Sequence, residues 1–480
     1  MTNTALAQRP ATGIDIDLDD ARSVYHSLYD GADPALAASF LEERLAEAAQ
    51  LPCDLPATID DMAAWITRHT DAVGTEYRAY LAARKNGAPR RFFKTRSQAL
   101  YFLKAVAPTK LVDGAWLYGV LDRWQDPDYQ ALIRIYLEEL GNGVPDKNHV
   151  TIYRKLLEQH GCEHWQDLPE PHFVQGAIQL ALAASADDFL PELAGYNLGY
   201  EQLPLHLLIT SYELNELGID PYYFTLHVTV DNADTGHAHT ALEGVKRLLP
   251  RVGDSAAFLR RVAAGFRLND LGIGTVEAIA SFDLERETVA MLAAKAAVGK
   301  NMHSDYCRVA GRTINDWLAD PAQIPQFLEK LEQQGWIRRG EPAGNSRFWK
   351  LIHGERAEMF GVFSAYEQQL LEDWIVTPRD GSEPTIARVP SHRALRRSLD
   401  TLESPPVRNH APRSVIRHTF PADEHAWQTI GCELRLLEAQ LAATASKDEA
   451  MALLIGLMAP NQHHTSAGLM ATRVFTRLVQ

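Results

Sequence analysis

The chain has 480 residues, 46% of them hydrophobic, and a formal net charge of −15. This length and apolar share fit a globular protein of two to four domains, at the usual size of roughly 100 to 200 residues each. The acidic balance argues against nucleic acid as the main partner, because affinity for nucleic acid depends on basic surface.

The four cysteines stand far apart and form no CxxC pair; they are Cys53, Cys162, Cys307 and Cys432. This spacing argues against both a zinc ribbon and the disulfide framework of a small secreted protein. The longest purely apolar run, residues 451–459, is much shorter than the ~20 residues that a membrane span needs, and no signal segment opens the chain. We therefore expect a cytoplasmic protein without a membrane partner.

Helical periodicity dominates the first 300 residues. The opening dozen residues are polar without a period, and residues 1–95 are predicted to form an N-terminal arm and a helical extension. From Ala21 to about Val298, apolar residues return every three or four positions, with breaks at Gly- and Pro-rich turns. The sequence thus predicts an all-α fold in which residues 96–300 form a helical bundle.

Residues 301–376 show a different pattern. A predicted helix, Ile324 to Gln334, is followed by GWIRRGEPAGNSRFWKLI, in which two aromatic and β-branched runs flank a turn. This pattern favours a β-hairpin. A helix followed by a basic hairpin resembles a winged helix, and the alternative is a small capping hairpin. The residues that would contact phosphate are Arg338, Arg339, Arg347 and Lys350.

The rest of the chain divides into two parts. Residues 377–417 are rich in Pro, Ser and Arg, which is typical of a linker. Residues 418–480 regain amphipathic spacing and are predicted to form C-terminal helices.

Several common catalytic motifs do not occur in the sequence. It contains no GxxxxGK[ST], no GxSxG and no HExxH, and the glycine pair at 272 and 274 lacks a third glycine and a preceding strand. What remains is a series of carboxylates and histidines on successive helical segments.

The first members of this series are Glu139 and His149, which are separated by the helix-breaking GNGVPD. Because a loop sets their separation, both side chains can converge on one metal. Glu201 follows in an apolar segment, where a carboxylate is costly to bury unless it is paired or metal-bound. Glu213 and Glu216 compete with it as ligands, and surface exposure is the default for both.

The segment LHVTVDNADTGHA, residues 226–238, supplies the last members. His227 and Asp231 stand four residues apart and share one face of a helix. Carboxylates and histidines on successive helices are what a bundle site for two iron or manganese ions requires, and imidazole suits iron. The alternative is a structural polar cluster.

At this point the sequence resembles the haem-oxygenase-like non-haem di-iron oxidases, often described as iron-containing redox enzymes. The resemblance rests on LVDGAWLYG, on Glu139 with His149, on GYEQLPLHLL and on YYFTLHVTVDNADTGHA. It rests more loosely on GWIRRG and FGVFSAYEQQLLEDWI, and it covers roughly residues 100 to 375. It implies a seven-helix bundle that holds two irons. The ligands that it implies are Glu139, His149, Glu201, His227 and Asp231.

The resemblance departs at the end of the last motif. The family has His-x-x-x-Asp-x-x-His, and here Asp234 stands in place of the final His, with His237 three residues later. Helix geometry favours Asp234, whereas a local unwinding or π-bulge at Gly236 would turn His237 inward. We predict His237 as the ligand and keep Asp234 as the alternative. Asp113 is either an additional carboxylate ligand or the N-cap of a helix that begins at Gly114.

The function implied by the resemblance is oxidation of a small organic substrate by O2 at two Fe2+ ions, with manganese as the alternative metal. The substrate classes are amino acids, amines and fatty-acid-like molecules, and an external electron donor and a homodimer are compatible with this function. One competing hypothesis is a non-catalytic helical binding protein that uses the hairpin and the arginine-rich linker. The other is a true haem oxygenase.

Overall fold

The computed structural model of the chain describes residues 17–31, 33–230, 236–354, 356–379 and 434–479. These residues are predominantly helical, as the sequence predicts. The helices up to residue 200 are α1 (Ala21–Asp30), α2 (Pro34–Ala48), α3 (Ile59–Lys85), α4 (Arg96–Ala105), α5 (Ala107–Lys110), α6 (Gln130–Glu139), α7 (His149–His160), α8 (Val174–Ala184) and α9 (Leu190–Tyr200).

The remaining helices run to the end of the described chain. They are α10 (Leu205–Glu216), α11 (Tyr222–Val230), α12 (His237–Leu248), α13 (Ser255–Arg267), α14 (Thr275–Ala280), α15 (Leu284–Gly299), α16 (Ile314–Leu318), α17 (Ile324–Gln333), α18 (Arg347–Ile352) and α19 (Ala365–Val376), then helical residues 434–442, α20 (Lys447–Leu457) and α21 (Ser466–Val479). Short 310 segments are Ala115–Arg123, Pro127–Tyr129, Gly141–Gly143, Pro145–Lys147, Glu170–His172, Leu268–Asp270, Pro321–Gln323 and Ala343–Asn345.

Two apolar cores meet in the middle of the bundle. The larger one joins α1, α2 and part of α3 to α6, α8, α9 and α12, and it includes apolar side chains of α20 and α21. The other joins α4 and α5 to α7, α11 and α14. Helices α6, α9 and α12 therefore face α7 and α11 across the boundary between the two cores, where polar side chains are concentrated. The domain boundaries given above stay predictions.

The hairpin predicted within residues 335–352 is wrong. Residues 343–345 form a 310 turn, and residues 347–352 form α18. The buried side chains of Trp349 and Ile352 stand three residues apart, which is a helical spacing. One backbone hydrogen bond crosses the turn, from Phe348 N to Trp336 O at 2.9 Å. Residues 347–352 nevertheless form a helix, because the helix buries the aromatic side chain of Trp349.

The β-ladder among the described residues lies earlier, where Arg308–Val309 pair with Arg312–Thr313 in an antiparallel register. Two of the basic residues assigned to a winged helix are instead engaged locally. Arg339 contacts Glu285 and the Trp374 ring, and Arg347 lies over the Trp336 ring. The hairpin on which the winged-helix hypothesis depended is therefore absent from residues 335–352. Nowhere in the described ranges is a helix both long enough and apolar enough to cross a membrane.

Candidate metal centre

Asp113 and Glu139 come into contact distance because a glycine lies between their backbones. Gly114 has φ +83°, and a Cβ at this position would lie 2.9 Å from Cβ of Glu139. Only glycine has both this left-handed backbone and this clearance. Asp113 is fully buried beside the last turn of α6.

The connection between α6 and α7 brings Glu139 and His149 together. Glu139 is the last residue of α6 and His149 the first of α7. The loop reverses direction through three successive residues with positive φ, Gly141, Asn142 and Gly143. Nδ1 of His149 then lies 2.5 Å from Oε2 of Glu139 and 3.5 Å from Oδ2 of Asp113.

Two more helix ends and one helix face complete the cluster. Glu201 caps the C-terminus of α9, and His237 is the first residue of α12. Nδ1 of His237 lies 3.0 Å from Oε2 of Glu201 and 3.6 Å from Oε1 of Glu139. His227 projects from α11, with Nε2 3.1 Å from Oδ2 of Asp113. All six side chains are buried.

These side chains form two groups with one shared member. Asp113, Glu139, His149 and His227 offer ligand atoms that all lie within 4.8 Å of one another. Glu139, Glu201 and His237 do the same. Glu139 therefore lies between two positions, each lined by carboxylate oxygen and imidazole nitrogen.

Outer hydrogen bonds orient the imidazoles. Nδ1 of His227 lies 2.9 Å from the carbonyl oxygen of Tyr223, to which it can only donate, and this leaves Nε2 facing the cluster. Nε2 of His237 lies 2.7 Å from Oε2 of Glu138, so Nδ1 faces the cluster. A second ring nitrogen held by a carboxylate or a carbonyl is the usual arrangement of a metal-binding histidine.

Asp113 is fixed by two tyrosines. Tyr200 donates its hydroxyl to Oδ1 at 2.7 Å, and Tyr223 donates to Oδ2 at 2.5 Å. The ammonium of Lys110 donates to the Tyr200 hydroxyl at 2.8 Å and lies 3.7 Å from Oδ1 of Asp113. These contacts set the carboxylate plane and add one positive charge beside it.

The cluster creates a strongly negative local potential. Burial by itself lowers the pKa of His149, but the carboxylates of Glu139 and Asp113 outweigh it and raise that pKa to about 10. Burial likewise lowers the pKa of His237, and Glu201, Glu138 and Glu139 outweigh it and raise it to about 12. For Glu201 burial dominates, and its pKa is raised despite the nearby His237. In the metal-free protein, protons on imidazoles supply the positive charge that the carboxylates require.

One buried ligand atom, Oε1 of Glu201, is without a hydrogen-bond partner, and this fits a metal. Oε2 of Glu139 and Nδ1 of His149 approach each other at 2.5 Å without hydrogen-bond geometry. Buried polar atoms in proteins are nearly always paired, so an orphaned carboxylate oxygen beside this close carboxylate–imidazole pair indicates a missing partner. Carboxylate and imidazole donors suit iron or manganese.

Comparison with known protein families agrees with this donor set. Residues 100–270 match the family described as iron-containing redox enzyme. The resemblance drawn from the sequence is thereby confirmed over residues 100–270, and it ends before the residue 375 to which we extended it. Comparisons with curated proteins and with solved structures give no significant match.

The matched region brings together six of the eight candidate ligands: Asp113, Glu139, His149, Glu201, His227 and His237. Asp231 and Asp234 lie outside the described residues. Helix α11 ends at Val230 and α12 begins at His237. His237 thus reaches the cluster from the start of a new helix, directly after the extended backbone of Gly236.

Two local predictions about carboxylates were wrong. Asp113 is not an N-cap, since the 310 segment after Gly114 has no side-chain cap and Asp113 accepts from tyrosines instead. Glu213 and Glu216 are not exposed. Glu213 accepts from backbone N–H groups of Phe92 and Phe93, and Glu216 pairs with the Arg84 guanidinium at 2.7 Å. Both serve local structure away from the cluster.

Sequence reasoning missed Lys110, Tyr200 and Tyr223 as partners of Asp113. Tyr200 and Tyr223 stand inside quoted motifs of the sequence, GYEQLPLHLL and YYFTLHVTVDNADTGHA. Aromatic residues in such motifs are usually core, so the sequence did not separate a hydroxyl aimed at a carboxylate from ordinary packing.

The raised imidazole pKa values predict a pH dependence for the metal-free protein. Between pH 7 and 8.5 the folded chain keeps protons on His149 and His237 that the unfolded chain, with histidine pKa near 6.5, releases. The folded state therefore binds more protons, and the free energy of unfolding should fall as pH rises, by about 1.4 kcal/mol per pH unit for each retained proton.

Urea denaturation in chelator at several pH values measures this slope. His149→Gln removes one of the retained protons. The free energy of unfolding of this variant should therefore fall less steeply with pH, by about 1.4 kcal/mol per pH unit. Other buried groups contribute equally to the slope of parent and variant, so their contributions cancel in the comparison. One of these groups is the Cys162 thiol, whose pKa is raised by burial to about 12. Equal slopes in parent and variant would contradict the prediction.

Proposed function

We propose that the chain is a non-haem di-iron oxidase or oxygenase that uses O2 to oxidise a small organic substrate. The observation that supports this most strongly is the membership of Glu139 in both ligand groups. A carboxylate has two oxygens and can serve two cations at once. Asp113, His149 and His227 would hold one iron, Glu201 and His237 the other, and Glu139 would lie between them.

The ferrous ions, when bound, supply electrons for the reduction of O2. The chain contributes position, orientation and exclusion of water. Both ligand groups are buried. Trp116, which donates to Asn197 at 2.9 Å, packs against Tyr200, the residue that donates to Asp113. Buried aromatic walls of this kind keep water from a reactive centre.

The number of electrons that O2 takes up shows that the proposed reaction needs an electron donor besides the substrate. Insertion of one oxygen atom from O2 into a substrate, with the other leaving as water, takes two electrons from the substrate and two from elsewhere. Two Fe2+ ions supply the second pair once, so repeated turnover needs an external electron donor. Candidate substrates remain amino acids, amines and fatty-acid-like molecules, and manganese remains the alternative metal.

Anaerobic titration with Fe2+ tests the proposal directly. We expect the chain to bind about two equivalents and, once loaded, to consume O2, because the two ligand groups each provide at least three donors. His227→Ala should reduce binding toward one equivalent. His160→Gln is the matched control, since His160 is also buried and lies at the other end of α7 from His149.

The di-iron proposal would be lost if the parent bound well below two equivalents and His227→Ala left that binding unchanged. A loss of binding in the His160 variant equal to that in the His227 variant would also oppose it, since it would reflect general damage to the fold.

A further inference from the structure

The loop that joins Glu139 to His149 is held in place from outside the matched family region. Gly143 has φ +76°, and a Cβ there would collide with the carbonyl oxygen of Leu469 on α21. The Arg473 guanidinium, also on α21, donates to the carbonyl oxygen of Gly143 at 3.0 Å. The C-terminal helix therefore lies directly against the turn between two candidate ligands.

A second contact reaches the start of α7 itself. Asn148 is fully buried, and its Oδ1 accepts from the Thr151 backbone N–H at 2.9 Å, which caps the helix that begins at His149. Its amide Nδ2 lies 3.1 Å from Nδ1 of His463 and 3.3 Å from the carbonyl oxygen of Leu140. Because Nδ2 is only a donor, Nδ1 of His463 is the acceptor.

The same C-terminal segment also contacts the helix of Glu139. Tyr136, one turn before Glu139, donates its buried hydroxyl to the carbonyl oxygen of Met458 at 2.6 Å. His463 itself is 1% exposed. Burial lowers the pKa of His463 to about 3, so the ring is neutral and its acceptor nitrogen stays available to Asn148.

We propose that Met458, His463, Leu469 and Arg473 form a C-terminal brace of the metal centre, and that His463 is a positioning residue that orients His149 through Asn148. The inference rests on the proposed function for the role of His149 as a ligand. The family match ends at residue 270, so the brace lies outside the matched region. Outer partners of this kind fix the direction in which a ligand nitrogen points.

Three variants separate positioning from packing. His463→Phe keeps a ring but removes the acceptor of the Asn148 amide. His463→Asn restores an acceptor oxygen close to the position of Nδ1. His464→Phe is the matched control, since His464 is the half-buried neighbour and its Nδ1 has no partner.

Anaerobic titration with Co2+ alone, followed by its visible absorption bands, is the first measurement. His463→Phe should weaken Co2+ binding at the group that contains His149 by roughly 10- to 100-fold and change the bands of that ion. Binding at the group of Glu201 and His237 should change much less. His463→Asn should recover most of the affinity, and His464→Phe should resemble the parent.

Amide hydrogen exchange in the metal-free protein is the second measurement, and it does not depend on metal binding. His463→Phe should speed exchange of the amides in residues 141–151, and His464→Phe should not. If the parent bound no Co2+ or Fe2+ while this difference in exchange appeared, the proposed function would fail and the brace would stand.

The brace would be overturned by unchanged exchange in His463→Phe, or by equal weakening of both ion positions. Should His463→Phe fail to fold, Arg473→Met replaces it, because Arg473 is largely exposed and only its guanidinium contact with Gly143 is removed. Faster exchange in residues 141–148 is then the supporting result, and parental exchange the contrary one.

Discussion

Under the proposed di-iron function, replacing Glu139 by glutamine should abolish substrate oxidation and leave at most one tightly bound iron. Glu139 is the one residue that both ligand groups contain. Glutamine has the same shape but carries no negative charge and presents only one carbonyl oxygen, so it cannot serve two cations. Since loss of an outer partner alone costs 10- to 100-fold, loss of this ligand should lower turnover by more than roughly 100-fold.

The neighbouring Glu138→Gln is the matched control. Glu138 is 38% exposed and contacts Nε2 of His237, but it belongs to neither ligand group. Its glutamine variant retains an acceptor oxygen for that nitrogen. We expect the iron content, measured by elemental analysis, and the rate of O2 consumption to stay within about tenfold of the parent values. Tenfold is the smallest loss that removal of an outer hydrogen-bond partner typically causes. Equal losses in the two variants would show that Glu139 has no special place between the ions.

Residue chemistry was sufficient to find most of the cluster from the sequence. Carboxylates and histidines inside apolar helices need partners, and few arrangements other than a metal site collect so many. The sequence showed that GNGVPD breaks the helix after Glu139. It did not show that three successive left-handed residues bring His149 back to 2.5 Å from that carboxylate.

The two tyrosine partners of Asp113 could not be predicted because they come from distant parts of the chain. Tyr200 and Tyr223 are 87 and 110 residues away in sequence. The hairpin prediction failed for a related reason. Aromatic and β-branched runs on either side of a turn suggested strands, but Trp349 and Ile352 bury one helical face in a core built by other helices. The local sequence pattern did not distinguish strand from helix here, and packing against other helices determined the helical structure.

Replacing Gly114 by alanine should lower the free energy of unfolding and weaken iron binding at the same time. The left-handed backbone at φ +83° costs alanine about 1 to 2 kcal/mol, a penalty that glycine avoids. The added Cβ would also lie 2.9 and 3.2 Å from Cβ and Cγ of Glu139. Overpacking of this kind typically adds about 1 to 3 kcal/mol, and here the added methyl group would press directly on Glu139, the residue that the two ligand groups share.

Gly87→Ala separates the two contributions. Gly87 follows α3 with φ +88°, nearly the same backbone conformation, and a Cβ there would have no atom within 4 Å. Its alanine variant should therefore lose only the backbone share, about 1 to 2 kcal/mol in urea denaturation, and bind Fe2+ like the parent. Gly114→Ala should lose roughly 2 to 5 kcal/mol and bind iron more weakly. If the two variants lost equal stability and both kept full iron binding, the close approach of Gly114 to Glu139 would have no role in building the centre.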